Sequence, residues 1–252
     1  MLTPERHRAI LLLLSEQGRV TIAEITKSFN VSTATARRDV VFLAESGKAT
    51  RSHGGLLPAN FFQSESGVRP AAAGENNPKD RIARRACDLL PHEGNIFIDA
   101  GTTTLEVGRL LIARPDLHIF TNSVPLISLA PEAKATLIGI GGEIKKGSLA
   151  LTGALAQAWL AHLRFDAAVI GAAGLDVANG AYANELGEAA IKTNVLQHSV
   201  VRVLVADATK WNRPAAVRFA SWSAFTSFVT NQELPGAART ALAADKVKIY
   251  QI

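Results

Sequence analysis

The sequence predicts a mixed α/β chain in two parts: a small helical N-terminal part closed by a basic ribbon, then a larger part on a mostly parallel sheet. Three observations carry that expectation. Up to about residue 45, apolar residues recur at steps of three and four, the spacing of one helix face. From residue 79 onward, short β-rich apolar runs alternate with amphipathic helical segments, the pattern of a largely parallel sheet covered on both faces. Between them, three prolines, two glycines and scattered polar residues break every periodicity, so residues 58–78 read as a linker. The expected division is therefore 1–57, 58–78 and 79–252.

Whole-chain quantities fit this division. A length of 252 residues accommodates a small domain and a medium one. A hydrophobic content of 48% with only 6% aromatics suits a globular core of Ala, Val, Ile and Leu. The formal charge of +5 admits an anionic partner without requiring one. Cys87 is the only cysteine, which excludes an intrachain disulfide and a cysteine-rich zinc site. Within IARRACDLL it reads as a small core residue. Six scattered histidines show no metal-ligand spacing, so neither metal nor cofactor is expected. The apolar run AILLLL, residues 9–14, is too short to span a bilayer, and no cleavage pattern follows it. A cytoplasmic protein without a membrane partner is expected.

Taken in order, Thr3-Pro4-Glu5 starts a helix with a hydroxyl cap, a first-turn proline and an acid. That helix runs to about Gln17, burying Ile10, Leu13 and Leu14, and Gly18 ends it. Val20-Thr21 begins a second cap, and Ile22, Ile25 and Phe29 form the next stripe. Asn30-Val31-Ser32 has the length of the turn in a helix-turn-helix. Ser32 is a good N-cap for a third helix whose apolar face is Ala36, Val40 and Leu43. Thr33 and Arg37 lie one turn apart on another face, with Arg38 beside them. Gly47 supplies a left-handed stop, and KATRSHGG follows as an alternating, basic, glycine-ended ribbon.

A short helix carrying hydroxyls and two arginines, followed by a basic hairpin, is what a winged helix-turn-helix presents to DNA. The alternative is a small helical bundle with an arginine pair on its solvated face. The cap, the Arg37-Arg38-Asp39 run and the Arg51-Ser52-His53-Gly54-Gly55 ribbon together favour DNA. Thr33 and Arg37 are expected in the major groove, where arginine can pair bidentately with guanine. Arg38, Arg51 and His53 suit phosphates or the minor groove. The hydroxyls of Ser32 and Thr35 complete the DNA-facing set. Which arginine reads a base stays open, and Asp39, beside two arginines, is expected in a structural ion pair rather than a base contact. Phe61 and Phe62 suggest that the linker docks on something.

In the second part, NIFIDAG, LHIFTN, ATLIGIGG, DAAVIGAAG, RVLVADATK and FTSFVTN read as strands. Lys79 to Leu90, Thr104 to Ile112, Ala154 to His162 and Glu188 to His198 read as helices. Ligands of such sheets bind at the carboxyl ends of the strands. The first of these ends, Asp99-Ala100-Gly101-Thr102-Thr103-Thr104, turns from strand into helix. Its helix-start N–H groups and three hydroxyls form a cradle for a phosphate or carboxylate. Thr121-Asn122-Ser123, Gly141-Gly142 and Asp207-Ala208-Thr209-Lys210 end other strands, and Lys210 is the cation best placed by sequence to meet a phosphate. Taken singly, each end is an ordinary capped turn; four in one sheet point to a polyol-phosphate site. Nucleotide motifs fail: Gly142 to Ser148 has Walker-like glycine spacing but no lysine before Ser148, and Ile144 stands where a dinucleotide fingerprint needs glycine.

These motifs resemble the DeoR-type bacterial transcription regulators over nearly the whole chain. The specific marks are VSTATARRD, Leu43 with Gly47, and RSHGG, then DAGTTT, TNS, IGGE with Gly153, FDAAVIGAAGLD and ADATKW in the family's order. The resemblance implies a DNA-binding N-terminal domain and a C-terminal sensor related in fold to ribose-5-phosphate isomerase and CoA transferases. It also implies a repressor of a carbohydrate-catabolic operon, released from double-stranded operator DNA by a phosphorylated sugar or polyol, acting as a homodimer or homotetramer. The competing reading is a sugar-phosphate isomerase with a DNA-binding appendage. Isomerases of that fold resemble D-G-A-D-E where this chain has Ile170-Gly171-Ala172-Ala173-Gly174, and neither Ala173 nor Gly174 can move a proton. Many family members keep an aspartate at Ala173, so a usual polar contact to the sugar is missing. Glu185, Glu188 and Lys192 lie nearby in sequence; a glutamate there, Glu185 first, is a candidate for a ligand hydroxyl, with a solvated helix face as the alternative.

Overall fold

The computed structural model describes residues 3–17, 20–46, 48–52, 55–58 and 77–252. The chain divides into two compact units, 1–67 and 68–252. The expectations for Gly18, Gly47, His53, Gly54, Phe61 and Phe62 lie outside the described residues.

The first unit runs α1 (Thr3–Gln17), β1 (Val20–Thr21), α2 (Ile22–Phe29), α3 (Thr33–Glu45), β2 (Ala49–Ser52) and β3 (Gly55–Pro58). Thr21 starts α2 through a full capping box: its hydroxyl accepts from Glu24 N, and the Glu24 carboxylate accepts from Thr21 N at 2.7 Å. Asn30 ends α2 in the left-handed conformation, φ 48°, which asparagine tolerates better than most residues. The three strands form an antiparallel sheet in the order β1-β3-β2. Ile10 and Leu14 of α1, Ile25 of α2, and Ala36, Val40 and Leu43 of α3 bury against Val20, Ala49 and Leu56 of that sheet. Leu13, Ile22 and Phe29 pack at the margin of this core and stay partly exposed.

The second unit begins with α4 (Pro78–Cys87), β4 (Gly94–Ile98), α5 (Thr102–Leu111), β5 (Leu117–Thr121), α6 (Val124–Ile127) and β6 (Thr136–Gly139). It continues with β7 (Glu143–Ile144), β8 (Leu151–Thr152), α7 (Ala154–Leu160), β9 (Phe165–Gly171), β10 (Gly174–Asp176) and β11 (Gly180–Ala183). It ends with α8 (Leu186–Gln197), β12 (Ser199–Val205), β13 (Val217–Ala220), β14 (Ser227–Thr230), α9 (Gly236–Ala244) and β15 (Lys248–Gln251). Seven strands form one sheet in the order β15-β14-β12-β9-β4-β5-β6, and every pairing in it is parallel.

The pleat sorts consecutive residues to opposite faces. Ile96, Ile98, Ala167, Val169, Val203 and Val205 bury beneath α4 and α5, while Phe97, Ala168, Ile170 and Leu204 bury beneath α7, α8 and α9. Both faces are therefore covered, as near-continuous apolar strands require. Three features exceed the sequence expectation: β15 as an edge strand, the antiparallel sheet β10-β11-β13, and the β7–β8 hairpin. All are built from short or polar runs whose pairing depends on distant partners.

Strand order matters for function. From β4 the chain builds outward through β5 to β6; β9 then pairs on the other side of β4, and β12, β14 and β15 extend from it. The direction of winding thus reverses between β4 and β9. A ligand crevice opens beyond the carboxyl ends of strands at such a switch point.

Candidate DNA interface and ligand crevice

Helix α3 starts where Ser32 accepts from Thr35 N at 3.1 Å; the Ser32 and Thr35 hydroxyls also bond each other at 2.9 Å. Its inner face is the buried set Ala36, Val40 and Leu43, which leaves Thr33, Arg37 and Arg38 exposed with Ser32. Thr33 and Arg37, four residues apart, share one outward stripe. Arg51 belongs to β2, while its side chain and His53 fall outside what is described.

Asp39 is 3% exposed and forms the expected structural ion pair, with partners on α1 rather than the arginines beside it. Its carboxylate accepts from Arg6 Nε at 2.7 Å and Nη2 at 3.0 Å, and meets His7 Nε2 at 2.9 Å, all from α1. Residues one and two apart on a helix point in different directions, so Arg37 and Arg38 are left for an outside partner while α1 satisfies Asp39. Burial alone would raise the Asp39 carboxyl; hydrogen bonds and charge from Arg6 and His7 outweigh it and hold the group below its ordinary value.

In the second unit the loop after β4 leads straight into α5. Gly101 is the N-cap and makes no side-chain cap bond, so the first N–H groups of α5 are not satisfied by a capping side chain. The three threonines differ in use. Thr102 Oγ1 accepts from Lys79 Nζ at 2.7 Å, Thr103 is buried, and the buried Thr104 hydroxyl donates to Gly101 O at 3.0 Å. Asn122, at the end of β5, is 1% exposed, and its Oδ1 accepts from Ala100 N at 2.7 Å, which ties the first two loops together. Ser123 caps α6 by accepting from Leu126 N.

Gly141 and Gly142 follow β6 at φ 74° and 106°. A Cβ on Gly142 would lie 2.2 Å from Thr152 O, so only glycine lets that turn pass. Glu185 is the N-cap residue of α8 and sits 3.9 Å from Lys145 Nζ. Lys210 closes a 3₁₀ turn at Ala208–Lys210 whose cap, Asp207, accepts from Thr209 N at 2.9 Å. That turn follows β12, two strands from β4, or roughly 10 Å along the sheet. Asp99, Gly101, Thr102, Thr103, Thr104, Asn122 and Ser123 thus share adjoining loops, while Lys210 stands across β9.

Two lysines at this end were not among the expected ligand residues. Lys79 reaches the cradle from the first turn of α4, a cation at the first hydroxyl. Lys192, 4% exposed in α8, donates to Asp99 Oδ2 and to Gly171 O. Its signal was available: Ala189, Lys192 and Leu196 recur at helical spacing on a buried stripe, where an unpaired lysine is nearly never found. Gly171, Ala172 and Ala173 at the end of β9 carry no acid, as the sequence states. Among the described residues no group of three or more His, Cys, Asp or Glu could hold a metal ion. No described helix is long and apolar enough to cross a membrane.

The model of a DeoR-like helix-turn-helix domain matches residues 6–60, and that of a DeoR C-terminal sensor domain matches residues 75–232. The glycerol-3-phosphate regulon repressor of Escherichia coli K12 is 30% identical over 92% of each chain. The HTH-type transcriptional regulator GlpR of Haloferax volcanii is 31% identical over 95% of this chain and 94% of its own. The HTH-type transcriptional repressor CsqR of Escherichia coli K12 is 29% identical over 97% and 94%. Among solved structures, ribose 5-phosphate isomerase A from Methanocaldococcus jannaschii aligns over 55% of each chain at 17% identity and a TM-score of 0.40, which bears on neither activity nor ligand.

Proposed function

The chain belongs to the DeoR family of DNA-binding transcriptional regulators, and on that premise we propose that it represses a carbohydrate or polyol catabolic operon and leaves its operator on binding a phosphorylated sugar or polyol. Its family makes it a regulator rather than an enzyme. The observation that carries the DNA-binding role is the exposed stripe of α3, where Thr33, Arg37 and Arg38 stand outward from a capped and well-buried helix. In this reading residues 1–57 bind DNA with Ser32, Thr33, Thr35, Arg37, Arg38, Arg51 and His53. Residues 58–78 link, and residues 79–252 sense.

The effector reading rests on the uncapped start of α5 beside Asn122 and Lys79, an anion cradle at the carboxyl ends of parallel strands. A relative named for the glycerol-3-phosphate regulon supports a phosphorylated polyol as the ligand class. Asp99, Gly101, Thr102, Thr103, Thr104, Asn122, Ser123, Gly141, Gly142, Glu185 and Lys210 are its proposed contacts. Helix-turn-helix proteins read paired half-sites with paired copies, so we assign a homodimer or homotetramer acting on DNA in the cytoplasm.

Two measurements test the proposal. Arg37→Ala with Arg38→Ala abolishes operator binding in a gel-shift titration while circular dichroism stays native; unchanged affinity would sink the DNA assignment. Lys210→Ala weakens the release of operator by phosphorylated polyols. A Lys210→Ala protein that responds to every such compound as the parent does removes Lys210 from the ligand set.

A further inference from the structure

The reversal of winding between β4 and β9 puts two backbone ends side by side: Asp99 just after β4, and Gly171 as the last residue of β9. One cluster joins them. Asp99 Oδ2 accepts from Gly171 N at 3.0 Å, and Lys192 Nζ from α8 donates both to that same oxygen and to Gly171 O at 3.1 Å. The Lys192 ammonium also lies 5.5 Å from the Phe219 ring centroid. Asp99 and Lys192 are 1% and 4% exposed, so a full charge pair is buried where the sheet topology opens its crevice.

The pair is lopsided. Everything it satisfies on the carboxylate falls on Oδ2, while Asp99 Oδ1 is buried with no hydrogen-bond partner among the described residues. Buried polar atoms in native proteins are nearly always paired, and each exception calls for a partner such as a ligand, an ion or a water. A buried ion pair is weak evidence for a stabilising role, since replacing one by apolar groups of similar volume is often neutral or stabilising. An ionised carboxylate oxygen can only accept, so its complement is a donor. A phosphate dianion has no proton to donate; a ligand hydroxyl has one.

We propose that Asp99 Oδ1 accepts a hydroxyl of the effector whose phosphate lies at the start of α5, three residues further on, and that Lys192 is the positioning residue that presents this oxygen. The inference rests on the sugar-phosphate reading above and narrows it. The ligand class is a polyol or sugar phosphate recognised through a free hydroxyl as well as its phosphate, and a plain alkyl phosphate of equal length is rejected. Lys192 does this by occupying Oδ2 and pinning Gly171, which leaves Oδ1 as the oxygen of this carboxylate that can read the ligand. A site built to bond a hydroxyl discriminates strongly against the analogue lacking it, because its own buried acceptor is then left unpaired.

The test uses the full-length protein and isothermal titration with glycerol 3-phosphate, ribitol 5-phosphate and glucitol 6-phosphate, each set against the n-alkyl phosphate of the same carbon count. The parent protein is expected to bind at least one polyol phosphate about tenfold or more tighter than its alkyl counterpart. In Lys192→Met that ratio falls toward one. The double variant Asp99→Leu/Lys192→Met, which buries no lone charge, shows the same loss and covers the case in which Lys192→Met does not fold. A purely structural role for the pair would change stability and leave the ratio alone. Parent binding of alkyl and polyol phosphates within twofold, or a parental ratio in the folded variants, overturns the inference while leaving the phosphate site standing. Binding of neither phosphate series, with inorganic phosphate also silent, overturns the sugar-phosphate reading and this inference with it.

Discussion

The Arg6 guanidinium grips the Asp39 carboxylate at two points, Nε to Oδ2 at 2.7 Å and Nη2 to Oδ1 at 3.0 Å, and so bolts α1 to the helix that carries the exposed Arg37 and Arg38. Both side chains are buried, at 9% and 4% exposure. Removing the arginine leaves a buried carboxylate without its main partner, a loss of about 3–5 kcal/mol. Small domains hold only about 5–15 kcal/mol in total. Arg6→Met is therefore expected to unfold or severely loosen the first unit, seen as a loss of cooperative melting of that unit and of operator binding together.

The same pair sets an acid limit. The Asp39 carboxyl lies below its ordinary value of 3.8: burial pushes it up, and the Arg6 and His7 contacts pull it down further than that. A carboxyl depressed in the folded state contributes stability that is complete above its unfolded value. That contribution drains away as pH falls from there through the lower folded value. Acid titration of the first unit should show stability falling below about pH 4, with the slope reduced in Asp39→Asn. An equal slope in the two proteins would assign the acid transition to another group.

Arg37 and Arg38 predict a salt signature. Each phosphate neutralised by a basic side chain contributes roughly −0.9 to the slope of log affinity against log salt on duplex DNA. If both arginines contact phosphate, their joint removal flattens that slope by about 2. If one of them reads guanine, its alanine variant instead loses discrimination at one base position, by about 1–3 kcal/mol, with most of the salt slope kept. Single-variant salt titrations on the operator and on a mismatched site separate the two.

What could be read from the chain and what could not follow a physical line. Ser32, the apolar stripe of α3 and the strand-to-helix turn at Gly101 are local features, written in adjacent residues, and the structure has them where their spacing put them. The ion pair of Asp39 was legible but its partner was not, because adjacency in sequence is not adjacency on a helix and Arg6 is 33 positions away. The Lys192 contact was not legible for the same reason, since it lies 93 positions from Asp99. The edge strand β15 and the β10-β11-β13 sheet carry weak patterns of their own and take their strand form from tertiary neighbours. Phe61, Phe62 and His53 lie outside the described residues.

Cys87 offers a probe of the second unit. It is 6% exposed on α4, and burial pushes its thiol up to about 11, with Arg114 opposing. Only the thiolate reacts with disulfide reagents. At pH 8 the native protein should therefore label slowly, and labelling should track unfolding of α4 in a denaturant series. Rapid stoichiometric labelling in buffer would mean that α4 opens far more readily than its packing on the sheet implies.

Gly142 and Gly236 form a matched pair of substitutions with opposite expected signs. Gly142 holds φ at 106°, and its missing side chain is what lets Thr152 O approach to within 2.2 Å of where a Cβ would sit. Alanine there meets both a forbidden backbone and a backbone oxygen that cannot step aside, because Thr152 lies in β8, paired with β7 next to this turn. The cost is on the order of 2–4 kcal/mol. It should appear as a lower melting temperature together with a weakened effector response, since Gly141 and Gly142 border the proposed crevice. Gly236 begins α9 and a Cβ there meets nothing within 4 Å. Gly236→Ala restricts only the unfolded chain, so it should stabilise by about 0.4–1 kcal/mol. Parallel melts of the two proteins decide the matter: a Gly142→Ala protein as stable as Gly236→Ala would mean that the turn after β6 can relax, and that the crevice wall it forms is not fixed.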